Sequence, residues 1–363
     1  MENAENRTRA LRRKLRLWYQ KNHRELPWRQ TKDAYKIWVS EVMLQQTTVQ
    51  AVIPYYKNWV RLFPDVKTLS CAPLQKILKA WQGLGYYQRA KNLHKSAQIM
   101  ADKFAGQIPQ DYNKLIRLPG FGTYITAAVL SVAFDKPYPV IDANVRRVLM
   151  RLTRMRREAS PKNDKTLLEF LKPYFPQKKT GLFNQAMMEL GALVCKVKNP
   201  LCLICPLPEF CEAFKAGKQE IIPTPKKRTY QKIEVVVGII QENGKYLVQK
   251  RPSKGLLADL WEFPGGKRKA EETLEEALRR EIREELAADI ATEKLLTQVR
   301  HSYTQFRVTL SAYECRLKNK PRYKKVQHKW VTLKALRHLP FPSGSAKIVH
   351  FLEERDKSEG KNK

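Results

Sequence analysis

The chain has no run of about 18 apolar residues, the length a helix needs to cross a bilayer, and its start does not read as a signal peptide. It has no internal repeat, which excludes a solenoid or propeller. It has no basic amphipathic helix with a wholly apolar face, so an anionic membrane is a poor candidate partner. Cysteine is sparse, at six in 363 residues, and does not form a secreted disulfide framework. Free thiols suit a reducing cytoplasm. Acidic residues are scarce: 35 Asp and Glu stand against 69 Lys and Arg, a net charge of +34. Such a surplus exceeds what solubility requires and implies a polyanionic partner. The basic residues recur along the chain as Arg12-Arg13-Lys14, Arg154-Met155-Arg156-Arg157, Lys226-Lys227-Arg228, Lys267-Arg268-Lys269 and Lys324-Lys325. That spread predicts a folded surface tracking phosphates, with salt-sensitive affinity. A soluble protein that merely carries many lysines is the plainer alternative.

The pattern changes near residue 215. Before it, apolar residues recur at helical spacing, as in Leu11, Leu15 and Trp18, with Thr8 as a candidate N-cap, and in Val49, Ile53, Tyr56 and Val60. After it the period becomes two. IEVVVGIIQ and KYLVQKR flank Glu242-Asn243-Gly244, a hairpin signal, and Phe306, Val308, Leu310 and Ala312 alternate with polar residues. Thr273 to Leu286 reads as a charged helix between strands. The expected organisation is a mainly α domain over 1–214, a Pro- and Gly-punctuated linker over 215–232, a smaller α/β domain over 233–354 and a disordered tail over 355–363.

Cys195, Cys202, Cys205 and Cys211 are spaced C-x6-C-x2-C-x5-C, four thiols within seventeen residues of Pro-punctuated loop. Thiolates at such spacing suit zinc or an iron–sulfur cluster. Zinc ribbons usually carry two C-x-x-C knuckles and this chain has one, so spacing leans towards a [4Fe–4S] cluster and leaves zinc open.

Two further stretches call for a chemical reading. In LPGFGTYITAAV, Gly120 and Gly122 permit a tight turn with outward N–H groups, and Thr123 is placed to cap the next helix. This is the form of a helix–hairpin–helix over about residues 115–134, which grips a DNA backbone without reading bases. A plain interhelical turn would look the same. The second signal is a pair of carboxylates in apolar company. Glu41 lies in WVSEVMLQQT; Asp142 follows an extended apolar run at a helix start. A Glu in apolar surroundings tends to be protonated, and an Asp at a helix N-terminus tends to stay ionised. That division suits glycosidic cleavage. A buried ion pair for Glu41 and a simple N-cap for Asp142 are the plainer alternatives.

Taken together, LPWR, SEVMLQQT, GLGYYQRAKNL, LPGFGTYIT, VIDANVRRVL, FNQAMMELGALVC and the four-cysteine loop resemble the MutY adenine DNA glycosylases, from about Leu26 to about Trp330. The resemblance implies a helix–hairpin–helix glycosylase domain with a [4Fe–4S] loop and an α/β, Nudix-like (MutT-like) C-terminal domain. It implies excision, in base excision repair, of adenine mispaired with 8-oxoguanine or guanine in double-stranded DNA. On it, Glu41 is the general acid and Asp142 the carboxylate that stabilises the oxocarbenium ion. Tyr124 and Asn144 stand beside that centre. Trp28, Arg29, Leu44, Gln46 and Glu189 surround the flipped adenine, and Tyr86 wedges into the duplex. Relatives of the endonuclease III type carry lysine where this chain has Tyr124, so a monofunctional enzyme leaving an uncut abasic site is expected. The enzyme is expected to be a monomer in the cytoplasm, on the nucleoid, handing its product to abasic-site repair enzymes.

The C-terminal domain departs from that family in two places. The aromatic–Ser–His loop that recognises 8-oxoguanine reads Tyr303-Thr304-Gln305. Gln305 keeps a hydrogen-bond donor but no titratable ring, which predicts weaker discrimination between 8-oxoguanine and guanine. The Nudix box is nearly complete, with Gly266, Glu272, Glu281, Glu284 and Glu285, but Ala287 stands where glycine is expected. Glu281, Glu284 and Glu285 are the residues that would hold Mg²⁺ in a pyrophosphohydrolase; a charged helix retained as scaffold is the favoured alternative. A pyrophosphohydrolase fused to a DNA-binding module and a non-catalytic lesion-binding protein are the rival functions. Neither requires both Glu41 and Asp142.

Overall fold

A computed structural model describes residues 2–225, 230–303, 306–323 and 326–361, with backbone alone at 2–4, 303 and 359–361. The longer helices are α1 (Glu2–Asn22), α2 (Ala34–Leu44), α3 (Val49–Leu62), α4 (Leu74–Ala80), α5 (Gln88–Lys103), α6 (Thr123–Phe134), α7 (Ala143–Leu152), α8 (Asp164–Leu171), α9 (Thr180–Leu193), α10 (Leu274–Leu286) and α11 (Ser343–Lys361). The strands are β1 (Gln231–Glu242), β2 (Lys245–Lys250), β3 (Trp261–Glu262), β4 (Gly265–Lys267), β5 (Ile290–Tyr303), β6 (Phe306–Leu317) and β7 (His328–Thr332). Two compact units result. One comprises Met1–Cys71 and Asn92–Lys227; the other comprises Ala72–Lys91 and Arg228–Lys363. The division falls between Lys227 and Arg228, inside the stretch expected as linker, and Ala72–Lys91, expected within the first domain, groups with the second unit.

The first unit is helical because its apolar residues recur on helical faces and are punctuated by caps. Asp33 caps α2 by accepting from the backbone N–H groups of Tyr35 and Lys36. Helix α6 is buried from Ile125 through Val132, so it is central rather than amphipathic. Gly181 lets α9 approach α6: a Cβ there would lie 2.6 Å from the Ser131 carbonyl oxygen. In the turn before α6, Gly120 takes a positive φ of 82°, whereas Gly122 has φ of −83°, which any residue can adopt. Phe121 is buried and stacks on Trp38 at 5.1 Å, fixing that turn to α2. Three local expectations are corrected. Gly122, not Thr123, is the N-cap of α6, and no side chain caps it. Thr8 lies inside α1, which already begins at Glu2. The upstream part of the expected linker is docked: Ile222 is buried, its carbonyl accepts from Arg151 Nε at 2.8 Å, and Thr224 N donates to the Arg157 carbonyl at 2.9 Å. Proline and basic residues there mimic a free linker, but the buried arginine recruits the Ile222 carbonyl.

In the second unit the sheet order is β3-β2-β1-β6-β5, with β4 on β1 and β7 on β2. Strand β1 runs parallel to β6, and the β1–β2 pair is an antiparallel hairpin. Asn243 and Gly244 both have positive φ, as a two-residue turn between twisted strands requires. Alternation sends Val236 and Ile240 to one face, under Leu278, Ile282 and Leu286 of α10, and Val237 and Ile239 to the other, with Ile348 and Leu352 of α11. Burying each such side chain contributes about 1.5–3 kcal/mol relative to exposure. Helix α10 is the predicted charged helix, opened by a capping box of Thr273 and Glu276. It ends at Ala287, which takes a left-handed φ of 48° where the motif has glycine. The predicted disordered tail is corrected over 355–361: α11 continues to Lys361, with Arg355 reaching Glu314 and Lys357 reaching Glu354. A polar composition with charge pairs sustains the helix after its apolar face ends.

Candidate active site

Glu41 lies on α2 among Trp38, Val42 and Met43, all buried, and is itself only 7% exposed. Tyr124, in the first turn of α6, donates its hydroxyl to Glu41 Oε2 at 2.5 Å and also lies 3.9 Å from Met188 Sδ. Burial lifts the Glu41 carboxyl to about 7. The Tyr124 bond and the Arg29 charge work against this, and the Asp142 charge works with it. Burial next to Glu41 and Asp142 also pushes the Tyr124 phenol up, so it stays a donor.

Asp142 is the N-cap of α7. Its Oδ1 accepts from Val145 N at 2.7 Å and its Oδ2 from Asn144 Nδ2 at 3.1 Å. The N-cap alternative is therefore present together with a position beside Glu41. Burial raises the Asp142 carboxyl, and its hydrogen bonds and Arg147 hold it back. The expected split is thus corrected in degree. Both carboxyls are pushed up, but only Asp142 has donors that favour its ionised form.

Behind Asp142 a polar chain runs towards the cysteine loop. Arg147 donates from Nη2 to Asn144 Oδ1 at 3.0 Å and to the Gly191 carbonyl at 2.7 Å, and from Nε to the Cys195 carbonyl at 2.8 Å. Arg151, 2% exposed, donates to Cys195 Sγ at 3.2 Å and to the Lys196 and Val197 carbonyls. Arg147, Arg151, Met188 and Arg24 were not among the residues singled out from the sequence. The i, i+3 spacing of Asn144 and Arg147 was a usable signal; Arg24 had none.

Cys195, Cys202, Cys205 and Cys211 line one small cavity with Arg151, Pro200 and Pro208. Leu207 N donates to Cys205 Sγ at 3.4 Å. Burial pushes the Cys205 thiol up to about 12, and Cys202 and Cys211 also rise. A thiol held this high becomes a thiolate only against a cation. Among the described residues, no group of three or more His, Cys, Asp or Glu is drawn close enough to grip a single metal ion.

Glu189 of α9 is fully buried. Its Oε1 accepts from Arg24 N at 3.1 Å and Nε at 2.6 Å; its Oε2 accepts from Arg24 Nη2 at 2.9 Å and Arg29 Nη2 at 2.5 Å. Burial would raise this carboxyl, but the two guanidinium groups hold it at about 2. Trp28 is buried edge-on against Tyr56. Leu44 closes α2 half-buried, and Gln46 is exposed with a left-handed φ of 58°.

The remaining expected residues belong to the second unit. Tyr86 is half-buried with φ of 49°, after Gly83 and Gly85, both with positive φ. The Tyr303 side chain, Thr304 and Gln305 lie outside the described residues, as do Lys226 to Arg228 and Lys324-Lys325. In the Nudix box, Arg280 donates to Glu272 at 2.7 and 2.9 Å, to Glu281 at 2.8 Å and to Glu284 at 3.3 Å. Glu285 accepts from Gly265 N at 3.0 Å, and burial lifts its carboxyl to about 7.

The profile of the HhH-GPD superfamily of base excision DNA repair proteins matches residues 39–173, and that of the NUDIX domain matches residues 235–351. An adenine DNA glycosylase of Buchnera aphidicola from Acyrthosiphon pisum is 37% identical over 338 residues, covering 92% of this chain and 94% of that protein. The Homo sapiens adenine DNA glycosylase is 30% identical over 362 residues, covering 84% of this chain and 66% of that protein. Among solved structures, a thermostable thymine-DNA glycosylase superposes with a TM-score of 0.53 at 26% identity, covering 58% of this chain and 98% of that one. Endonuclease III in a non-covalent complex with DNA gives 0.50 at 25%, covering 58% and 97%. With Tyr124 bonded to the buried Glu41 and Asp142 capping α7 nearby, and with the Buchnera relative 37% identical over 94% of its length, the chain belongs to the adenine DNA glycosylase family.

Proposed function

We propose that the enzyme removes adenine paired with 8-oxoguanine or guanine by the pair Glu41 and Asp142, and leaves the abasic strand uncut. The observation that carries this reading is the Glu41 carboxyl, raised to about 7 by burial while hydrogen-bonded by Tyr124. At neutral pH a large fraction of it is protonated, as a general acid working near pH 7 requires. Glu41 delivers its proton to N7 of the flipped adenine, which makes the base a leaving group. Asp142 faces the sugar cation and closes on it as a covalent adduct, which water then resolves. Its two donors, Val145 N and Asn144 Nδ2, stabilise the carboxylate. Tyr124 offers no amine, so no Schiff base forms and the strand survives. The Arg24–Glu189–Arg29 group shapes the wall around the base with Trp28, Leu44 and Gln46. The turn at Gly120 and Gly122 grips the backbone, and Tyr86 fills the gap left by flipping.

Four thiols around one cavity, with an arginine and a backbone N–H aimed at their sulfurs, fit a [4Fe–4S] cluster, which the likeness to the adenine DNA glycosylases favours over zinc. Such a cluster would order the loop, and the hydrolytic chemistry passes through none of its irons. The enzyme acts as a monomer on nucleoid DNA in the cytoplasm, and its abasic product passes to enzymes that cut such sites. Gln305 in place of histidine lowers the preference for 8-oxoguanine over guanine.

The test is single-turnover adenine release from a duplex with adenine opposite 8-oxoguanine, in EDTA, by wild type and Glu41→Gln. Release by wild type that is lost in the variant supports the assignment. Equal release by both removes Glu41 from the role of acid.

A further inference from the structure

Ala72–Lys91 lies within the stretch matched by the base-excision-repair profile, yet it packs as part of the same unit as Arg228–Lys363. The attachment is specific. Gln75 donates from Nε2 to the Asp259 carbonyl at 3.0 Å and accepts from Trp261 Nε1 at 2.9 Å. Gln82 Oε1 accepts from Phe341 N at 3.1 Å and from Lys79 Nζ at 3.0 Å, and Lys79 also reaches the Leu339 carbonyl at 3.2 Å. The Tyr87 hydroxyl donates to the Phe341 carbonyl at 3.0 Å in a buried bond. Lys91 Nζ meets Asp259 Oδ2 at 2.6 Å, with the two side chains 15% and 9% exposed.

These attachments flank one turn on both sides. Gly83, Gly85 and Tyr86 all have positive φ. The conformation is not one that Tyr86 selects for itself, since a side chain disfavours the left-handed region. Bonds from the anchored flanks close it: Trp81 Nε1 donates to the Gly85 carbonyl at 3.0 Å, and Arg89 Nη2 donates to the Leu84 and Gly85 carbonyls, both at 3.1 Å, with Trp81 beside the attached Gln82 and Arg89 between the attached Tyr87 and Lys91. The Arg89 guanidinium lies 5.2 Å from the Trp81 ring centroid and 5.6 Å from that of Tyr86. Trp81 and Tyr87, on either side, are buried.

The geometry points to a positioning role for the C-terminal domain. Through Asp259, Trp261 and Phe341 it holds the Tyr86 turn, so that wedge insertion depends on the domain's attachment as well as on its recognition of the oxidised base. Lys91, Gln75 and Gln82 are positioning residues; none of them touches the reacting atoms. This inference rests on the reading of Tyr86 as the wedge. Removing the Lys91–Asp259 bond would let the turn sample conformations that a non-glycine residue prefers, and insertion would fall while the chemistry at Glu41 stayed intact.

The experiment uses the full cluster-loaded chain and a duplex with 2-aminopurine stacked next to 8-oxoguanine, whose fluorescence rises when the wedge unstacks it. Lys91→Met, Gln75→Leu and Tyr86→Ala are compared with wild type, with Lys91→Arg as the conservative rescue. In the first two variants the fluorescence rise should be lost and adenine release should fall about tenfold, within the range of couplings between distant sites. The pH profile of release should keep its shape, and Lys91→Arg should restore both signals. If Tyr86→Ala abolishes the signal but Lys91→Met and Gln75→Leu leave it unchanged, the clamp is overturned and the wedge stands. If Tyr86→Ala itself changes nothing, the wedge reading falls and the clamp falls with it. Gln75→Leu keeps the test open should Lys91→Met fail to fold.

Discussion

Tyr124 hands its hydroxyl hydrogen to Glu41 over 2.5 Å, from the first turn of one buried helix to the side of another. Both groups are pushed up by burial, so the neutral acid and the neutral phenol are the forms this site favours.

Glu41→Gln should therefore abolish adenine release and yet stabilise the fold at alkaline pH. The folded-state carboxyl is raised from 4.5 to about 7, so the native state loses stability as pH rises from the lower value through the upper one. The full difference is worth roughly 3 kcal/mol. Melting curves at pH 5 and pH 8 should show the variant gaining on wild type at pH 8 only. A constant gap at both values would mean that Glu41 titrates normally.

Tyr124→Phe removes a bond that lowers the Glu41 carboxyl. The alkaline limb of the pH dependence of adenine release should move to higher pH, because the acid then holds its proton longer. Release should continue without strand cleavage or any adduct trapped by borohydride, in wild type and variant alike. A limb shifted to lower pH would contradict the assigned direction.

Gly191 lies against Asn144: a Cβ built there falls 2.6 Å from Asn144 Cβ and 3.0 Å from its backbone. Gly191→Ala should push the start of α7 and cost about 1–3 kcal/mol of stability by overpacking. Because Asn144 holds Asp142 Oδ2, single-turnover release should fall by about tenfold or more, as for a displaced catalytic group. Binding to undamaged duplex should persist, and an unchanged rate would detach Asn144 from Asp142.

Cys205→Ser should lower iron content and visible absorption together, and should loosen the loop that Arg147 and Arg151 bind. Adenine release and DNA affinity should both fall. EDTA added to wild type should change neither, since no step needs a free divalent ion. Full iron content in the variant would remove Cys205 from the ligand set.

The helical and alternating periods, the hairpin at Asn243-Gly244, the four-cysteine spacing and the motifs around Glu41, Tyr124 and Asp142 are local patterns, and the sequence by itself determined them. They depend on side-chain periodicity, on turn residues able to take positive φ and on neighbours a few positions away. Only the tertiary structure decided the rest, because it turns on contacts between distant residues. Burial sets the Glu41 carboxyl at about 7, and no neighbour in sequence reports burial. Glu189 is tied to Arg24 and Arg29, some 160 positions away in the chain, a buried charge group that no local pattern announces. The expected disordered tail is helix to Lys361, held through pairs such as Arg355 with Glu314. Ala72–Lys91, read as part of one domain by its motif, is packed with the other because Gln75, Gln82, Tyr87 and Lys91 find partners there more than 160 residues away. Hydrogen bonds of that reach form only after the chain has folded, and no sequence period encodes them.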